Sequence, residues 1–290
     1  MQSYLDIVKR VLETGEPKPD RTGTGTLAMA GAFFEHDMAR GFPLLTTKKV
    51  PYRLVTTELE FFIKGITDKQ WLQERNNHIW DEWCTPLKVP YAHDLETKKK
   101  MLAERDLGPL YGWQWRHFGA PYDSYDTDYA GQGVDQLKRV VESLKTTPHS
   151  RQMLVLAWNP VDINKVIPPF CHYGFQVTVI NGRLNLLWNQ RSVDVALGLP
   201  FNIASYATLL HLLALETGYA EGKLAGFLAD VHIYNNHIAG LTEQLARDPT
   251  TYPLPRIKTN HFTSLFEWQA ADTEIVNYQS YPKIIFDIAV

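Results

Sequence analysis

Helix-like and strand-like runs follow one another along this chain without regular alternation, and that order constrains the fold more than any other feature. From Ser3 to Glu13, residues Tyr4, Ile7, Val8, Val11 and Leu12 recur at helical spacing until Gly15-Glu16-Pro17 stops the helix. Thr26 to Phe34 reads as a strand, Tyr52 to Lys64 as a buried helix ending at Gly65, and Val134 to Leu144 as an amphipathic helix. Gln152 to Trp158, Gly174 to Ile180 and Arg183 to Trp188 are strand-like, Ile203 to Leu215 is an apolar helix with small residues, and Val231 to Tyr234 reads as a short strand. Residues 86–105, rich in Lys and Glu, read as a surface insertion. No repeat, low-complexity tract or linker interrupts the series. The expectation is one α+β domain over residues 1–290.

Composition supplies enough material for such a domain: 44% of the 290 residues are hydrophobic and 12% aromatic. A net charge of −3 gives no global positive field for nucleic acid or an anionic membrane, so any bound anion must be held by a local arginine cluster. The N-terminus lacks a basic segment leading into an apolar one, and no stretch reads as membrane-spanning, so a cytoplasmic enzyme is expected. Cys84 and Cys171 lie far apart and form no CxxC or ligand-like spacing, which argues against a disulfide framework and a zinc site. His232 and His237 lack a third metal ligand.

Cys171 stands in a polar setting. It follows Pro168-Pro169-Phe170, precedes His172, and has Gln190-Arg191-Ser192 and Pro200-Phe201-Asn202-Ile203 downstream. A thiol with an arginine, a serine and an asparagine suggests covalent catalysis on an anionic substrate; a buried structural cysteine is the alternative. Asp20 to Thr26 is a glycine-punctuated loop without the Gly-Lys-Ser/Thr ending of an ATP cradle.

Taken together, Asp20 to Thr26, Ile79-Trp80-Asp81-Glu82-Trp83, Asp106 to Pro109, Gln114-Trp115-Arg116, Cys171-His172, Gln190-Arg191-Ser192, Pro200 to Tyr206 and His232-Ile233-Tyr234 resemble the thymidylate synthase family over nearly the whole chain. The resemblance implies a twisted mixed β-sheet flanked by helices and a homodimer packed through the sheets. It also implies dUMP and 5,10-methylenetetrahydrofolate as ligands. Cys171 would be the nucleophile, activated by a neighbouring arginine, Arg191 foremost. Glu58 would move protons at the pyrimidine carbonyl, with Tyr111 and His172 in the same hydrogen-bond network. Arg21, Arg191, Ser192 and the partner subunit's Arg151 would hold phosphate, because guanidinium forks match phosphate oxygens. His232 and Tyr234, on one strand face, would bond the sugar hydroxyl, and Gln190 belongs to the same nucleotide site. Asp194 would accept from the pterin; Trp80, Trp83, Gly198, Lys48 and Val290 complete the folate side. Asn202, an amide able to donate to O4 and accept from N3–H, suits uracil over cytosine.

Some residues depart from the synthase pattern. Phe170, Pro168, Val193, Ala196 and Ala229 replace the residues usual around the reacting carbon, Gln152 replaces a second partner arginine, and Glu60 makes Glu58-Leu59-Glu60 resemble the nucleotide hydroxymethylase branch. Water capture of the exocyclic methylene is therefore expected, giving 5-hydroxymethyl-dUMP, with Glu60 a candidate to activate the water. A dUMP hydroxymethylase hints at a bacteriophage origin, and hence the host cytoplasm. The alternative is a thymidylate synthase making dTMP and dihydrofolate. A further reading is an idle member that binds nucleotide or RNA as a regulator, which the acidic balance and the retained Cys171, Glu58, Asn202 and Arg191 oppose.

Overall fold

The computed structural model describes residues 1–92, 94–168 and 170–288. In chain order the elements are α1 (Gln2–Thr14), β1 (Glu16–Lys18), β2 (Thr26–Asp37), α2 (Tyr52–Ile63), α3 (Lys69–Gln73), α4 (Leu95–Ala103), α5 (Tyr111–His117) and α6 (Gln136–Thr146). They continue as β3 (Leu154–Leu156), β4 (His172–Ile180), β5 (Arg183–Asp194), α7 (Gly198–Thr217), β6 (Ala220–Tyr234), α8 (Ile238–Ala246), β7 (Arg256–Thr259) and β8 (Thr273–Val276). This is the expected α+β mixture.

A six-stranded sheet in the order β1-β2-β6-β5-β4-β3 organises it, with β7 and β8 forming a separate pair. Neighbours are antiparallel except β5 and β6, which run parallel. The β4–β5 hairpin closes on Asn181-Gly182, both at positive φ (51° and 70°), the backbone that matches strand twist in a two-residue turn. Parallel strands cannot be joined so tightly, and α7 supplies the crossover between β5 and β6. That position explains its composition: Leu199, Ile203, Leu209, Leu210, Leu212 and Leu213 are fully buried, so α7 needs no polar stripe. Contrary to expectation, α7 is long and apolar enough by composition to cross a membrane, but 78% of that stretch is buried inside the domain. Glycine ends it, Gly218 adopting φ 78° at the C-cap.

Helices α1, α2 and α7 join one continuous core with the inward side chains of the sheet, including Phe34, Phe175, Val177, Leu186 and Trp188. The other sheet face is less covered. Phe33 and Phe227 are register partners there, about half exposed (49% and 51%), with ring centroids 5.1 Å apart.

Among the elements that differ from expectation, β6 and the 86–105 segment are the clearest. The strand read over Val231 to Tyr234 is only the end of β6, which begins at Ala220. Its first part is rich in alanine and glycine because the neighbouring strand demands it: a Cβ at Gly226 would lie 2.5 Å from the Trp188 indole, and one at Gly222 2.6 Å from the Leu184 carbonyl oxygen. Residues 86–105, with His93 outside the described residues, carry α4, capped by the Asp94 carboxylate accepting from the Thr97 N–H at 2.9 Å. The buried Lys69 ammonium ties this segment down, donating to the carbonyls of Asp81, Trp83 and Met101 at 3.0, 3.0 and 2.6 Å.

Helix α5 lies on α2 at backbone distance. A Cβ on Gly112 would stand 2.3 Å from the Phe62 carbonyl oxygen and 2.6 Å from its Cα. Backbone of a buried helix cannot swing aside as a side chain can, so Gly112→Ala should destabilise the protein by about 1–3 kcal/mol and displace Tyr111. A urea melt checks the first effect.

Candidate active site

Cys171 immediately precedes β4, at the edge of the core, and is partly exposed. Two neighbours hold its backbone. The Cys171 N–H donates to the Tyr111 hydroxyl at 2.7 Å, and the Arg191 N–H donates to the Cys171 carbonyl at 2.8 Å. Arg191 also uses its side chain, Nε donating to the Phe170 carbonyl at 2.9 Å. A register shift in the β4–β5 ladder between His172 and Gly174 bends the strand just beyond the cysteine. Burial pushes the Cys171 thiol up, and the Arg191 guanidinium pulls it down by favouring the thiolate.

Glu58, on α2, accepts from the Trp80 indole N–H at 2.8 Å. Burial raises its carboxyl to about 7, against the lowering effect of that hydrogen bond. At neutral pH it can therefore give or take a proton. The same burial acts in reverse on His172, lowering it to about 3 and keeping the ring neutral. Its Nδ1 pairs with the Tyr206 hydroxyl at 2.9 Å, and its ring stacks on Tyr111 at 4.2 Å. Tyr111 feels the charges of both Cys171 and Glu58, which raise its hydroxyl beyond the effect of burial. Trp80, Glu58, Tyr111, Cys171, His172 and Tyr206 thus form one connected network.

Glu60 does not join it. Its buried carboxylate pairs with Lys64 Nζ at 2.5 Å and accepts from the Ala270 N–H at 2.8 Å. Residues two apart on a helix face different ways, and Glu60 faces α2's other neighbours.

The nucleotide-side candidates converge from β5, β6 and α7. Gln190 donates from Nε2 to Asn202 Oδ1 and to the Ser192 carbonyl, each at 3.0 Å. His232 and Tyr234 on β6 have ring centroids 5.3 Å apart, and His232 is the register partner of Asp194. Asp194 Oδ1 accepts from the N–H groups of Ala196 and Leu197 at 2.9 and 3.2 Å, closing the corner before α7. Gly198 lies against both carboxylate and amide: a Cβ there would be 3.6 Å from Asp194 Cβ and 3.8 Å from Asn202 Oδ1. Lys48 is buried under this corner, donating to the Ala196 carbonyl and lying 4.5 Å from the Phe286 ring centre. Burial lowers it to about 8, with Asp194 opposing.

Trp83 stacks on Tyr91 at 5.6 Å, and the Arg21 guanidinium sits 5.2 Å over the other partner of that stack, Tyr91. Arg21 thereby meets the tryptophan side of the site. Arg151 is not brought to Cys171 within one chain. Its carbonyl accepts from Gln176, which lies along β4 about 17 Å from Cys171 at ~3.4 Å per residue. Val290 lies outside the described residues. Tyr206, the partner of His172, is a site residue that motif reading quoted without assigning; its place four residues after Asn202 on α7 was the available signal.

Comparison with known proteins places the chain in a family. A family model described as thymidylate synthase matches residues 2–290. The chain is 42% identical over 287 residues to the bifunctional dihydrofolate reductase-thymidylate synthase of Paramecium tetraurelia, covering 99% of this chain and 61% of that protein. The chain therefore spans about three fifths of the length of that relative. It belongs to the thymidylate synthase family.

Glu58 generates a pH test. Its carboxyl moves from 4.5 when unfolded to about 7 when folded, so between those values the folded state binds the extra proton. Stability from this group is lost as pH rises through that window. Glu58→Gln should therefore gain on the wild type between pH 5 and pH 8, by about 2.5 kcal/mol, as read from urea midpoints at the two pH values.

Proposed function

We propose that this chain is a thymidylate synthase, converting dUMP to dTMP and 5,10-methylenetetrahydrofolate to dihydrofolate. The observation that carries the reading is the joint hold of Tyr111 and Arg191 on the Cys171 backbone, with Glu58 in the network around them and Asn202 held by Gln190 next to Arg191 in sequence. Cys171, as thiolate, adds to C6 of the pyrimidine, and the electron pair moves through C5 to the C4 carbonyl. Arg191 favours the thiolate by its charge, and with Arg21 and Ser192 it takes the phosphate. Asn202 reads the base, donating from Nδ2 to O4 and accepting N3–H at Oδ1. Glu58 exchanges protons at the carbonyl side, because its carboxyl titrates near neutrality. His232 and Tyr234 bond the sugar hydroxyl.

The folate side fits a reduced pterin. Asp194 commits Oδ1 to two backbone donors, which leaves Oδ2 for a donor from outside the fold. The Trp83–Tyr91 stack supplies a flat aromatic wall suited to a planar ring system. The bound folate supplies the carbon and the hydride.

The departures expected to admit water favour repacking instead. Phe170, Val193 and Ala196 are fully buried, Phe170 standing edge-on to Tyr111 at 5.2 Å. Glu60 is committed to Lys64 and Ala270. Hydride transfer to give dTMP is therefore the reading here, in place of hydroxymethylation.

The working unit is a homodimer. The half-exposed Phe33–Phe227 pair supports burial of that sheet face by a second copy, and the distance of Arg151 from its own Cys171 suits donation to the partner's phosphate site.

Mass spectrometry of the nucleotide formed from dUMP and methylenetetrahydrofolate, with absorbance followed for dihydrofolate, tests the reading. Stoichiometric dTMP and dihydrofolate are expected; hydroxymethyl-dUMP without dihydrofolate would overturn it. Cys171→Ser should lose at least about 10³-fold in turnover while still binding dUMP, since the nucleophile is removed and the phosphate and base contacts remain.

A further inference from the structure

Trp188 lies on β5, fully buried, with its indole stacked on Tyr206 at 5.4 Å and 11°. Its register partner on β6 is Gly226, the residue that leaves room for the indole. The indole N–H donates to Gln190 Oε1 at 3.1 Å. Residues 188 and 190 share a strand face, so the indole meets the Gln190 amide on one side of β5, and the same amide reaches back to the Ser192 backbone carbonyl at 3.0 Å.

An indole N–H can only donate, and a peptide carbonyl can only accept. The first therefore selects the oxygen of Gln190, and the second selects its NH2. With Gln190 so oriented, Nε2 faces Asn202 and selects Oδ1 there. The orientation of Asn202 is in this way set from Trp188, one amide removed.

That orientation matters because the two ends of an asparagine amide read opposite bases. With Oδ1 held toward Gln190, Nδ2 is available for the O4 acceptor of uracil, and the second lone pair of Oδ1 can take N3–H. An Asn202 turned by 180° would present an acceptor to the N4 amino group of cytosine and a donor to its N3. To allow the turn, Gln190 must turn as well. Its NH2 would then oppose the Trp188 N–H, and its oxygen would oppose the Ser192 carbonyl, leaving buried groups unpaired.

We infer that Trp188 is a positioning residue for base selection: its N–H, through Gln190, holds Asn202 in the uracil-reading orientation and so opposes dCMP. This rests on the dUMP reading under Proposed function and adds the residue that enforces it. It is specificity by penalty, since the wrong nucleotide is rejected through the contacts that its binding would break.

The test is calorimetric binding of dUMP and dCMP to the full chain, in the wild type and in Trp188→Phe, which keeps an aromatic ring on Tyr206 and removes the N–H. The wild type should prefer dUMP, and Trp188→Phe should narrow the ratio by about fivefold to tenfold, the worth of one hydrogen bond. Gln190→Leu removes the donor one step nearer to Asn202 and should narrow the ratio at least as far, which keeps the test open should the Phe variant fold poorly. In an Asn202→Ala background the preference should be lost and Trp188→Phe should no longer change the ratio. A purely structural role would weaken both nucleotides alike. A ratio unchanged in both Trp188→Phe and Gln190→Leu, in a protein that still prefers dUMP, overturns the inference alone. No preference in the wild type overturns it together with the base assignment.

Discussion

The parallel pairing of β5 with β6 is the constraint on which the site depends. Two parallel neighbours cannot be joined by a tight turn, so the chain must leave the end of β5, cross the sheet and return. Helix α7 makes that crossing, and its first turns place Asn202 over Gln190. The corner where β5 becomes α7 is secured from several directions. Asp194 receives two N–H groups, Tyr4 donates to the Val195 carbonyl at 3.1 Å, and Lys48 donates to the Ala196 carbonyl. A buried lysine there is costly by desolvation, and its carbonyl bond and the nearby carboxylate offset part of that cost.

Burial then sets the chemistry, acting with opposite sign on acids and bases. It raises Glu58 into the neutral range and lowers His172 far below it, so one group can hold or release a proton near neutral pH while the other is a neutral hydrogen-bonding ring. Cys171 stands between these influences, pushed up by desolvation and pulled down by Arg191. The aromatic side chains around them supply both the low dielectric and the geometry: Trp188 stacks on Tyr206, Tyr206 bonds His172, and His172 stacks on Tyr111.

Residues that depart from the family pattern read differently once their surroundings are known. Glu60 stands two residues after Glu58, yet the helix turns it toward Lys64 and Ala270. Phe170 precedes the nucleophile, yet its ring fills the core against Tyr111 while its carbonyl receives Arg191. The Phe170 ring serves packing, and the Glu60 carboxylate serves an ion pair and a backbone bond away from the Cys171 network.

Much was legible from residues alone. Apolar spacing located α1 and α6, because a helix face that must be buried declares its period, while continuous apolar runs located α2 and most of α7. The polar motifs around Cys171, Arg191 and Asn202 pointed to the thymidylate synthase family and supplied the candidate site residues. The sequence did not show the full length of β6, whose glycines answer Trp188 and the Leu184 backbone across the ladder. Nor did it show the orientation of the Asn202 amide, the titration of Glu58, or the separation of Glu58 from Glu60. Local pattern determined the main helices, the mixed fold class and the set of candidate site residues, since these depend on residue type and spacing. Pairing, depth and direction were decided only in the tertiary structure, since each depends on what stands opposite a residue, and that partner comes from elsewhere in the chain.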